Sequence, residues 1–194
     1  MAYSTIAELK TYLGITGDTD DALFSALLDE ASSIIDRAGA RVYAASVDAT
    51  RYFDSYADVR GATLYLDRDL AQITSITNGD ADVLTASEYV TEPRNDPPYH
   101  AIKLLSSSGL SWTQKSTTGN NENAITIVGR WAYAVTAPSI IARLNVRAAA
   151  ALYKQRENPI GETVLIDGQN LATPKDVYGW IDRELQTAGL KKIL

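Results

Sequence analysis

Few residues in this chain have the types and spacing that chemistry needs. A single histidine, His100, follows Pro97-Pro98-Tyr99. One imidazole with no nucleophile or paired base nearby in the sequence reads as a residue bordering a strand, not as a general acid or base. Carboxylates cluster at Asp18, Asp20 and Asp21 and again at Asp67 and Asp69. The first group stands where a helix should begin, and both the cap position and the helix dipole favour negative charge there. The second, Asp67-Arg68-Asp69, has the composition of a turn between strands, where aspartate bonds its own backbone. Neither the run from Asp18 nor Asn78-x-Asp80-x-Asp82 places glycine sixth and glutamate twelfth, so the EF-hand pattern fails. No glycine-rich phosphate loop and no Gly-x-Ser-x-Gly elbow is present. There is no cysteine, which removes disulfides, thiolate nucleophiles and thiolate metal sites. We therefore assign no catalytic, cofactor-binding or metal-ligating residue and expect neither an enzyme nor a cofactor.

Charge supplies the remaining candidates. Arg143, Arg147 and Lys154 recur at helical spacing and form one stripe beside an apolar face. That stripe is either a solvated face or a basic surface turned to nucleic acid or to an acidic neighbouring subunit. The net charge of −6 argues against tight non-specific nucleic-acid binding, so any basic surface is local. At the C-terminus, Gly189 should end a helix and let Leu190, Lys191, Lys192, Ile193 and Leu194 project. Three apolar and two cationic side chains on a chain end suit docking on an acidic partner. The alternative is that Leu190 and Ile193 fold back onto Trp180 and Leu185.

The elements that must carry these residues follow from periodicity. Thr5-Ile-Ala-Glu8 is a capping box opening a short helix that Gly14 stops. Leu23, Phe24, Leu27, Leu28, Ala31, Ile34 and Ile35 form the apolar stripe of a second helix, from the Asp18–Asp21 region to about Ala38, where Gly39 should end it. After Val47 the pattern changes to short β-branched and aromatic runs at 51–54, 62–66, 73–77, 88–91, 101–105 and 124–133. Asn78-Gly79 signals a hairpin, lengthened by Asp80-Ala81-Asp82. Glu92-Pro-Arg-Asn-Asp-Pro-Pro-Tyr99 is a rigid connection. The polar stretch 106–123, with Trp112 to anchor it, should be a mobile loop or a long hairpin tip.

The longest helix is expected from Pro138 to Glu157, capped by Thr136 and ended by Asn158-Pro159. Its apolar face is Ile141, Leu144, Ala148, Ala151 and Leu152. A short strand follows at 163–166, and a last helix carries Val177, Ile181, Leu185 and Ala188. The fold class is thus α+β. A helical bundle is built from N- and C-terminal helices, residues 1–46 and 137–194, with an antiparallel β domain inserted at 47–136. No apolar run approaches the roughly 18 residues of a membrane span, and the N-terminus lacks the order of a secretory signal.

This plan resembles the head–tail connector (adaptor, or head-completion) proteins of tailed bacteriophages. The resemblance rests on three stretches: Tyr12-Leu-Gly with Asp20 through Arg37, Glu88 through Tyr99, and Gly129-Arg-Trp-Ala-Tyr133 through Ala137-Pro138 into Ala148–Arg156. The β insertion is larger than in minimal helical members. The resemblance implies a structural virion protein at the neck, assembled in the host cytoplasm. It would form a homo-oligomeric ring, usually twelve-fold, beneath the portal protein. The ring would extend the DNA channel without sequence-specific binding of the genome and dock a stopper or tail-completion protein. Residues 190–194 would meet the portal, and Arg143, Arg147 and Lys154 would face the channel or a neighbouring subunit. A second class stays open: a ligand- or carbohydrate-binding module on the β insertion, suggested by Tyr52, Tyr56, Tyr65 and Trp112.

Overall fold

A computed structural model of the chain describes residues 2–157, 164–166, 169–171 and 177–192. The chain forms two compact units, Met1–Arg41 with Ala137–Leu194, and Val42–Thr136. The architecture is α+β, with every strand pairing antiparallel.

The helical unit is built from local signals. Helix α1 (Ile6–Leu13) has both capping-box bonds between Thr5 and Glu8, and Gly14 closes it in the left-handed conformation. Helix α2 (Asp21–Gly39) begins after Asp20, which makes no side-chain cap bond. Its left-handed closing residue is Ala40, one position beyond the expected Gly39, which lies buried within the helix. Lys10 Nζ bridges the connection, 2.6 Å from Asp18 and 2.5 Å from Asp21. The aspartate cluster therefore organises a turn through a lysine.

Helix α3 (Ser139–Glu157) takes its first helical hydrogen bond at the Pro138 carbonyl, from the Ala142 amide at 3.1 Å. Pro138 rather than Thr136 thus marks the entry, because the residue before a proline resists the α conformation. Helix α4 (Val177–Thr187) buries Val177, Ile181 and Leu185. Ala188 lies past the end of that stripe and is exposed. Gly189 is left-handed, and the Leu190 amide reaches back to the Leu185 carbonyl at 3.0 Å, the long bond of a Schellman closure. Strands β8 (Val164–Ile166) and β9 (Gln169–Leu171) pair antiparallel within this unit.

A buried polar knot ties the three longer-range pieces of this unit. Asn145 on α3 is fully buried and donates through Nδ2 to the Leu28 carbonyl at 3.0 Å and to Ser32 Oγ at 2.9 Å. Its Oδ1 accepts from Ser4 at 2.5 Å, and the Tyr3 amide donates to Ser32 Oγ at 3.2 Å. Around it pack Leu9, Phe24, Leu28, Ala31, Ile35, Ile141, Leu144 and Ala148.

In the β unit, strands β1 (Ala49–Phe53), β7 (Ile125–Arg130) and β4 (Gln72–Thr77) form one sheet in that spatial order. Strands β2 (Val59–Arg60), β3 (Thr63–Leu70), β6 (Tyr99–Leu104) and β5 (Tyr89–Glu92) form the other. Both sheets contribute to one core of Phe53, Leu64, Leu70, Ile76, Ile102, Leu104, Ile125, Ile127 and Trp131. Asp67-Arg68-Asp69 is not a turn. It lies inside β3, where the register shifts between Tyr65 and Leu70. The shift lets an otherwise unfavourable charged run stay in a strand, with Asp67 paired to Arg51 at 2.5 Å.

The stretch 106–123 is tied down, against the expectation of a mobile loop. Trp112 is buried and its Nε1 donates to the Ala62 carbonyl at 2.9 Å. Buried Asn78 donates to the Ser111 carbonyl at 2.9 Å and accepts from the Thr113 amide at 3.1 Å. The left-handed residue of the Asn78–Asp82 turn is Ala81, not Gly79. Gly79 serves a different purpose: a Cβ there would sit 2.1 Å from the Thr113 carbonyl oxygen, so its absence admits the loop.

Candidate functional site

Among the described residues no group of three or more His, Asp or Glu could hold a metal ion. No described helix is long and apolar enough to cross a membrane. His100 sits exposed in β6, an interior strand of its sheet, so it is within a strand and not merely beside one.

One feature of the helical unit that can receive a partner is a groove between α1 and α3. Its volume is about 780 Å³. From α1 come Ala7, Glu8, Thr11 and Tyr12, which share a face because they recur at i and i+4. From α3 come Ser139, Ala142, Arg143, Val146 and Arg147. The lining is mostly apolar, and Tyr12 stands 55% exposed at its edge. Two of the three stripe cations thus flank one groove, while Lys154 lies half-buried further along α3 and does not line it.

The two arginines are held differently. The Arg147 guanidinium lies over the Trp180 ring, 4.7 Å from its centroid, so α4 aims it. Arg143 is exposed and has no ion pair among the described residues. The acidic lining group, Glu8, is engaged by its own cap, accepting from the Thr5 amide at 2.7 Å. The groove therefore offers an apolar floor with positive charge along one wall. Sequence periodicity gives the α3 wall. The α1 wall was missed there, although Ala7, Thr11 and Tyr12 at helical spacing are its signal.

The C-terminal residues 190–192 do not project, which corrects that expectation. The Lys192 amide donates to the Gly39 carbonyl at 3.0 Å, and Lys191 Nζ lies 2.6 Å from Asp182. The Schellman closure reverses the chain and sends it back along α2 and α4, so Leu190, Lys191 and Lys192 are half-buried. Ile193 and Leu194 lie outside the described residues.

The aromatic residues of the β unit do not make one platform. Trp112 is core, whereas Tyr52, Tyr56 and Tyr65 are 60%, 82% and 48% exposed. Tyr65 is stacked by Arg60, and Tyr52 borders an open groove with Thr77, Lys115, Asn123 and Thr126.

No family model matches this chain, and no curated protein matches it. Solved structures do. A chain in the neck of an empty GTA particle, computed with C6 symmetry, matches with TM-score 0.52 at 16% identity. That match covers 94% of this chain and 89% of the other. A chain in the neck of a native GTA particle, computed with C12 symmetry, matches with TM-score 0.52 at 16% identity, covering 92% and 86%. The chain has the fold of these neck proteins over nearly its whole length.

Proposed function

We propose that this chain is a structural neck subunit, a head–tail adaptor that forms a closed ring beneath a portal. The ring extends the DNA channel and gives a stopper or tail-completion protein a docking surface. One observation carries the reading: the fold likeness to neck chains takes in both units and the connections between them. A match of one unit alone would speak only for a common module. The symmetries under which those necks were computed favour a ring of this chain as well, with twelve copies as the expected number.

The charge agrees with that role: a net charge of −6 suits a conduit that duplex DNA must pass without sticking. The rival reading, a glycan- or ligand-binding module, has lost Trp112 to the core and retains only separated tyrosines.

The test is the mass of the full-length protein, alone and with the portal protein of its own particle, with images of any assembly formed. A closed ring, alone or on the portal, is the expected result. A monomer in both states overturns the reading.

A further inference from the structure

Helices α2 and α3 pack through their apolar faces yet carry opposite charge outward. Helix α2 holds Asp21, Asp29, Glu30 and Asp36 against Arg37 alone. Helix α3 holds Arg143, Arg147, Lys154 and Arg156 against Glu157 alone. Of the α2 acids, Asp21 is engaged by Lys10 and Asp36 by the Tyr3 hydroxyl. Asp29 and Glu30 both lie on the exposed face, beside Ala22, Ser25 and Ala26.

We infer that the exposed face of α2 in one copy docks in the α1/α3 groove of the next copy. This rests on the ring reading and names the surfaces that close it. The groove presents an apolar floor and the arginines Arg143 and Arg147; the α2 face presents small side chains followed by two carboxylates. Small side chains at the contact let helix axes approach to about 8–10 Å, the spacing of ordinary helix packing. Glu30 then reaches Arg143, which has no ion pair among the described residues. The two surfaces are different patches of one molecule. Such a heterologous contact generates a ring when its rotation closes, whereas a self-complementary patch stops at a dimer.

The absence of cysteine makes a direct test possible. The full-length chain carrying Ala26→Cys and Ala142→Cys together is oxidised under the conditions in which the wild type assembles. A ladder of covalent multimers is expected from the double variant, with nothing beyond a dimer from either single one. In parallel, Arg143→Glu and Glu30→Arg are each expected to lower the assembled fraction by at least about tenfold. Both residues are exposed, so melting temperatures should hold. Combining the two reversals should restore assembly.

Rings of wild-type mass in both single reversals overturn the inference, as does failure of the combined variant to recover. Cross-linking of the groove cysteine to the portal instead of to a second copy also overturns it. If the wild type forms no ring with or without the portal, the ring reading fails, and this one with it.

Discussion

Among the described residues, the helical unit and the β unit each bury one asparagine, and the two side chains meet different needs. Asn145 joins helices whose ends and faces are already set by local signals. Two of its partners keep a second bond: the Leu28 carbonyl also accepts from Ser32 Oγ at 2.9 Å, and Ser32 Oγ also accepts from the Tyr3 amide. Asn78 instead holds a stretch that has no ladder of its own. It satisfies the Ser111 carbonyl and the Thr113 amide, and Gly79 beside it makes room for the same segment. Order in the helical unit is thus local first and tertiary second. In the β unit it depends on contacts more than 30 residues apart. Closing such distances costs chain entropy that only the finished contact offsets.

At its coarsest this contrast says that the helices do not need the sheets. We propose that replacing 42–136 by a short Gly/Ser linker leaves a soluble, cooperatively melting helical protein. Far-ultraviolet circular dichroism decides the matter, and a strand-rich or disordered spectrum would refute it.

The next largest effect lies at Gly129, in the middle strand of its sheet. A Cβ there would stand 2.2 Å from the Gln72 carbonyl oxygen, which is backbone and cannot step aside. Gly129→Ala should cost about 3 kcal/mol and loosen β4 against β7, beside the register shift between Ile73 and Ser75. Hydrogen exchange should rise in Gln72–Thr77 while α2 and α3 stay protected. Equal loss of protection in the helices would break the contrast.

The asparagines test it directly. Asn78→Ala should cost about 2–3 kcal/mol, because two backbone groups lose their partner. Asn145→Ala should cost about 1–2 kcal/mol, because the Leu28 carbonyl and Ser32 Oγ keep other bonds and Ser4 is only half-buried. Denaturant melts of both variants rank them, and the reverse order would show that redundancy does not protect the helical knot. At the local end, Thr5→Ala removes one cap and should cost about 1 kcal/mol, read from the same melts.

The same distinction explains what could be read from the chain beforehand. Thr5-x-x-Glu8, Gly14, Pro138 and Gly189 act within a few residues of themselves, so helix ends were visible to within one or two positions. The exceptions are tertiary. Gly39 stays inside its helix, and its carbonyl accepts from Lys192 at the far end of the chain. Asp67-Arg68-Asp69 looks like a turn by composition, yet the pairing of β3 with β6 on either side holds it in a strand. Trp112 looks like a lone aromatic in a polar loop, because its partner, Ala62, is 50 residues away. For the candidate site, one wall was legible because Arg143 and Arg147 share a helix. The groove itself needs α1 laid against α3, which no local spacing encodes.

The smallest prediction sets one carboxylate from each unit side by side. Asp18, in the helical unit, is held below the ordinary carboxylate range by the hydrogen bond from Lys10 and then by its charge. Glu88, in the β unit, is also held low, first by the Thr85 amide and then by the Thr85 hydroxyl. Each folded value lies below the unfolded one. Each group therefore contributes stability that is present above the unfolded value, about pH 4, and is lost as pH falls through the folded value. The directions agree but the causes differ, so the two should respond differently to salt. Raising the ionic strength to about 1 M shortens the screening length to roughly 3 Å and weakens the exposed ion pair. Asp18 should then titrate nearer its ordinary value, while Glu88, held by a neutral amide, should barely move. Lys10→Gln should release Asp18. Thr85→Ala should release Glu88 only in part, since the amide remains. Carboxyl titration by NMR follows both, and an equal salt shift at Glu88 would mean that its low value is electrostatic and long-ranged instead of local.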